Sequence, residues 1–125
     1  MAWEPSLLKR GNSQLGGHDE VMQAISLAFP GTDWRRAPSG EEFVKWMESN
    51  GGTVSEEYRA MMVQEPSNWH GLFDTQDVTV EFDLGPSDNV RFVNVTSRGN
   101  HAEAQRRLRA LARERQWVIK GDYDE

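Results

Sequence analysis

Apolar and polar residues alternate along Val78-Thr79-Val80-Glu81-Phe82-Asp83-Leu84, the period-two pattern of a strand with one buried face. Gly85-Pro86-Ser87-Asp88-Asn89 has the composition of a turn, and Val90 to Thr96 reads as a second strand. In that second strand Val90 and Phe92 fall on one face and Val93 and Val95 on the other. It is therefore expected to be central in a sheet, or else covered by helices on one face and by the helical hairpin on the other. Arg98-Gly99-Asn100 is expected to break the strand. A helix follows from about His101 to Arg115, with Ala104, Leu108, Leu111 and Ala112 on one face, and Trp117-Val118-Ile119 reads as a short last strand.

Upstream the period changes. Val21, Met22, Ile25, Ala28 and Phe29 recur at three- and four-residue steps, which predicts a helix opened by Gly16-Gly17-His18-Asp19 and stopped by Pro30-Gly31. Trp34 is expected to fold back onto this helix, and Arg35 to Ser39 to form a loop. Ser39 with Glu42 makes a capping box for a helix over about Gly40 to Ser49, and Ser55 opens a shorter helix over Glu56 to Gln64, ended by Pro66. Trp69-His70-Gly71-Leu72-Phe73 reads as a strand turning through Asp74-Thr75-Gln76-Asp77. Trp3, Leu7 and Leu8 suit an edge strand, where Pro5 would be tolerated. Together these elements predict one α+β domain spanning residues 1–125. Its sheet is mostly antiparallel with four or five strands, helices pack on one face, and a helical hairpin is inserted at about 40–64.

Composition sharpens this picture. A length of 125 residues supports one real core, and five Trp and five Phe supply large buried area despite an apolar fraction of 37%. The absence of cysteine excludes disulfides, thiolate metal sites and a cysteine nucleophile. No apolar run approaches the roughly 20 residues that span a bilayer. Met1-Ala2-Trp3-Glu4-Pro5 lacks the features of a signal peptide, so a soluble cytoplasmic protein with no membrane partner is expected.

Charge is unevenly spread over a chain of net −6. From Glu41 to Asp88 eleven acids face only Lys45 and Arg59, a net of −9, whereas from Arg91 to Arg115 seven arginines face Glu103 and Glu114, a net of +5. Such polarity can steer a charged partner; the competing reading is of solvated outer faces that partly neutralise one another.

Catalytic signatures are missing. His18, His70 and His101 show no metal-ligand spacing, and Asp83 to Asp88 lacks the ligand series of a calcium loop, so neither metal nor cofactor is expected. Neither phosphate-binding glycine motif nor a G-x-S-x-G elbow is present. The pairs Glu41/Glu42 and Glu56/Glu57 are adjacent in sequence, so their members diverge around a helix and suit first-turn dipole compensation. Ser97-Arg98-Gly99-Asn100-His101 joins a strand to a helix and could form a small ligand or active site; against this stands a simple turn capped by Asn100. The arginine face of the last helix has no interleaved aromatics and the overall charge is acidic, which argues against a nucleic-acid partner.

Met1-Ala2-Trp3-Glu4, Leu15-Gly16-Gly17, Ile25 to Trp34, Val80 to Gly85, Val90, Val95, Arg98-Gly99 and Gln116-Trp117 resemble a group of small, largely uncharacterised bacterial proteins. The resemblance leaves out about residues 35–67, which look like an insertion. Proteins of this size and acidity also resemble immunity proteins of contact-dependent growth inhibition and polymorphic toxin systems. That resemblance implies a non-enzymatic protein that occludes one cognate toxin domain, often a basic nuclease. The expected partner-binding residues are Glu41, Glu42, Trp46, Glu48, Glu56, Glu57, Tyr58, Asp74 and Asp77, with Trp46 and Tyr58 as anchors if exposed; core packing is the stronger expectation for Trp46.

Overall fold

A computed structural model describes residues 2–64, 68–85 and 89–121. The proposed turn and calcium-loop residues 86–88, the acid Glu65, the terminating Pro66 and the acidic tail 122–125 lie outside them.

The chain orders as β1 (Ser6–Leu8), β2 (Gly16–Gly17), α1 (His18–Ala28), β3 (Asp33–Ala37), α2 (Gly40–Ser49), α3 (Glu56–Met62), β4 (Asn68–Asp74), β5 (Val78–Asp83), β6 (Asn89–Val90), β7 (Phe92–Gly99), α4 (His101–Arg115) and β8 (Val118–Lys120). Six strands form an antiparallel sheet in the order β3-β4-β5-β7-β1-β8, and β2 pairs with β6 in a separate two-stranded ribbon. The α+β class therefore holds, with one more strand in the main sheet than expected. The addition is β3, which lies partly in the presumed loop at Arg35 and pairs with β4 from Asp33↔Leu72 to Ala37↔Asn68.

The expected central strand is two pieces. Val90 belongs to β6, Arg91 interrupts, and β7 then runs through Arg98 to Gly99, past the expected break. It is central, between β5 and β1, but covered on one side only: Val93, Val95 and Ser97 are buried, whereas Phe92 is 50% exposed. Its outer face, with those of β4 and β5, is open to solvent.

The inner face carries the core. Leu7, Val78, Val80, Phe82, Val93, Val95 and Ile119 point at α1 and α4, which bring Val21, Ile25, Ala104, Leu108 and Leu111. Each of these side chains except Ala104 gains about 1.5–3 kcal/mol from leaving water. Phe29 closes the core edge-on against Phe73 and Phe82, with ring centroids 5.1 Å and 5.0 Å away.

β1 is an interior strand rather than an edge, flanked by β7 and β8. Its pairing extends back to Trp3, which exchanges both backbone hydrogen bonds with Ser97 at 2.9 Å and 2.8 Å. Pro5 accepts from the Val95 N–H at 2.9 Å and cannot return a bond. The sheet tolerates that loss because Trp3, Pro5 and Leu7 all fill the core side.

Trp34 does fold onto α1, donating its indole N–H to Ser26 Oγ at 2.8 Å. Its ring lies over Gly71, where an added Cβ would stand 2.6 Å from a ring carbon. Gly71→Ala is therefore expected to cost about 1–3 kcal/mol by overpacking, read as a lowered midpoint in urea with an unchanged slope.

Candidate interaction surface

Helices α2 and α3 connect the end of β3 to the start of β4. Both begin as their sequences dictate: Ser39 Oγ accepts from the Glu42 N–H at 3.2 Å, and Ser55 Oγ from the Tyr58 N–H at 3.1 Å. The capping box at Ser39 is half formed, because the Glu42 carboxylate pairs with Arg36 at 2.9 Å instead of turning back. Gly51 ends α2 with φ +84, and the Gly52 N–H reaches the Met47 carbonyl at 2.9 Å. The two helices pack mainly on each other. Val44, 2% exposed, is their one fully buried apolar side chain, and it stands apart from the main core.

Glu48 and Arg59 tie the helices together at 2.8 Å. The hydrogen bond from Arg59 holds the Glu48 carboxyl below the ordinary carboxylate range, opposed by slight desolvation and assisted by the Arg59 charge. Glu48 likewise raises Arg59. Both groups are solvent-exposed, so their contribution is small and screened.

A short supply of core leaves large apolar side chains in water. Trp46 is 61% exposed, which overturns the expectation that it packs inside, and it stacks on half-buried Phe43 with centroids 6.0 Å apart. Met61 and Val63 are also exposed, at 56% and 50%. Nothing in the sequence around Met61 and Val63 signals that exposure, because apolar residues in a short helix ordinarily pack inward. Tyr58 is half-buried; Glu41, Glu42, Glu48, Glu56 and Glu57 are exposed around the hairpin. Lys45 approaches Glu41 at 3.6 Å.

Asp74 and Asp77 do not join this surface. They lie where β4 turns into β5, whereas the hairpin enters β4 at Asn68. Six residue steps along a strand separate the two ends by about 20 Å. Asp74 accepts the Thr79 hydroxyl at 2.8 Å, and the Asp77 carbonyl accepts the Asn100 N–H at 2.8 Å, so both have local roles.

At the strand-to-helix turn, Ser97 Oγ and His101 Nδ1 are 3.1 Å apart and Asn100 caps α4 by accepting from the Ala102 N–H at 3.2 Å. Ser97 is fully buried. The hydroxyl is shielded from solvent, and its hydrogen bond with the imidazole ties the end of the strand to the first turn of α4. On that helix Glu103 takes Arg106 at 2.7 Å and Arg107 at 2.9 Å, and these hydrogen bonds hold its carboxyl below the ordinary range. Arg107 also caps α1 by donating to the Ala28 carbonyl at 2.8 Å.

Among the described residues no three His, Asp or Glu side chains converge to hold a metal ion, and no helix is long and apolar enough to cross a membrane. Comparison with protein-family models, curated proteins and solved structures gives no match.

Proposed function

We propose that this chain is a binding protein of the immunity type, which neutralises a cognate bacterial toxin domain by covering its active site or substrate surface. The observation that carries this reading is the stacked Phe43–Trp46 pair, presented to solvent on an acid-rimmed hairpin. A solvated tryptophan is costly to keep in a monomer, and a desolvated one is among the strongest anchors in an interface. Glu41, Glu42, Glu48, Glu56 and Glu57 around it would steer a basic surface, such as that of a nuclease, and raise the on-rate more than the affinity. In this reading the hairpin is an insertion between two paired strands, and the sheet with α1 and α4 is its scaffold. Binding is non-enzymatic, takes place in the cytoplasm and needs no cofactor. The alternative, a small ligand-binding or enzymatic domain at Ser97–His101, finds no support in a buried hydroxyl.

Co-expression with the product of the neighbouring gene, followed by size-exclusion chromatography, tests the proposal; no complex with that product would sink it. Trp46→Ala should weaken the complex about 30-fold, the size of a hot-spot truncation of about 2 kcal/mol. The free protein should keep its melting temperature, because Trp46 supports little packing of its own.

A further inference from the structure

Strand direction brings two oppositely charged features to one end of the sheet. β3 ends and β4 begins there, joined by the acidic hairpin. At the same end β1 stops at Leu8, β7 starts at Phe92 and β8 starts at Val118, all in register with one another. Two adjoining depressions open beside them. One is lined by Lys9, Arg91 and Phe92, the other by Lys9, Arg10, Arg113 and Trp117, and no described acid lines either. None of these four cations forms an ion pair among the described residues, in a chain whose net charge is −6.

Within one molecule the hairpin leaves them unpaired. It joins β3 and β4, and the cluster lies at the ends of β7, β1 and β8, two or more strand positions away in the sheet order, about 10 Å or more at the usual strand spacing. That exceeds the Debye length of about 8 Å at physiological salt. On the hairpin, Glu57 is likewise exposed and without an ion pair among the described residues, and exposed Glu56 only adds its charge to that of Glu48 beside Arg59. Both features also carry exposed apolar surface: Trp46 and Met61 on one, Phe92 on the other.

We infer that a second copy of this chain docks at this end of the sheet, the acidic hairpin of each copy seated on the Lys9, Arg10, Arg91 and Arg113 cluster of the other. A two-fold axis perpendicular to the sheet and passing through this end exchanges its two edges. The hairpin edge of one copy then faces the basic edge of its partner, twice over. The contact is isologous and closed, so it stops at a dimer. At physiological salt the repulsion between distant like charges is screened while pairs in contact persist. The inference rests on charge and strand layout and not on the immunity-type reading, although a toxin on the hairpin would compete with the second copy.

Light scattering coupled to chromatography, at about 0.1 mM chain and about 0.15 M salt, is the test, a concentration well above the micromolar range of ordinary specific pairs. The wild-type chain should show twice its mass of 14.3 kDa. The double reversals E56K/E57K and R10E/R113E should each run as monomers with wild-type circular dichroism. Their equimolar mixture should restore the dimer, because both contacts are then complementary again. A monomeric wild type, a reversal that still dimerises, or a mixture that stays monomeric overturns the proposal. Should a reversal fail to fold, the neutral variants Glu57→Gln and Arg113→Gln decide instead: each must weaken self-association about fivefold or more, and unchanged association overturns it.

Discussion

Phe29→Ala is expected to remove about 3–5 kcal/mol of unfolding free energy, enough to bring a domain of ordinary stability near its limit. The ring is wholly buried at the end of α1 and meets Phe73 and Phe82 edge-on. Its neighbours cannot collapse into the space it would leave. Phe73 is held under the Arg107 guanidinium, 5.6 Å from its centroid, and Phe82 sits mid-strand in β5 beneath Trp34. The loss should appear as a melting temperature lower by about 10–20 °C. Leu27→Ala on the same helix is the control: that side chain is 70% exposed, and truncation should change stability by less than about 0.5 kcal/mol. A comparable loss at both positions would mean that the core does not lie between α1 and the sheet.

Gly99→Ala is expected to cost about 2–5 kcal/mol, from backbone strain and overlap together. Gly99 ends β7 with φ +98, a conformation that a side chain resists, and an added Cβ would press on the Asp77 carbonyl and lie 3.2 Å from Val78 Cα. That carbonyl is already fixed by the Asn100 N–H, the residue that caps α4. Relief by moving one segment would therefore disturb the other. Chemical denaturation should show the loss in full. A Gly99→Ala protein within 1 kcal/mol (about a fivefold change in equilibrium) of wild type would mean that this corner is soft.

These two positions also mark what a sequence can and cannot disclose. α4 was legible from His101 to Arg115, because Asn100 offers a cap and Ala104, Leu108, Leu111 and Ala112 repeat at helical spacing. The face of β5 was legible because every second residue is apolar and the other side meets water. β3 was not, since Asp33-Trp34-Arg35-Arg36-Ala37 carries one large apolar residue and owes its extended form to the ladder with β4. The interior position of β1 was hidden for a related reason: pairing partners far away in the chain leave no local trace. At the candidate surface the acids and their helices were readable, while the exposure of Trp46 was not. Nothing in Phe43, Val44 and Trp46 says which one a small hairpin can bury, and only Val44 is covered. Asp74 and Asp77 joined the predicted set through sequence proximity, and the length of β4 separates them from it. The basic cluster escaped notice because Lys9 and Arg10 meet Arg91 and Arg113 only after folding.

The interior position of β1 has a kinetic consequence. Ser6 pairs with Asn94, 88 residues later, and on its other side with Lys120. Closing a loop of that length costs about 4 kcal/mol of chain entropy, and the meander β4-β5-β7 has no need to wait for it. Strand β8 does wait, since among the described residues it pairs with β1 alone. The sheet is thus expected to close from its middle toward the β8 edge, with β1 and β8 protected from hydrogen exchange last in a pulse-labelling experiment. Until that loop closes, one flank of β7 lacks its hydrogen-bond partners and stands as an open sheet edge, the kind of surface on which a second chain can pair.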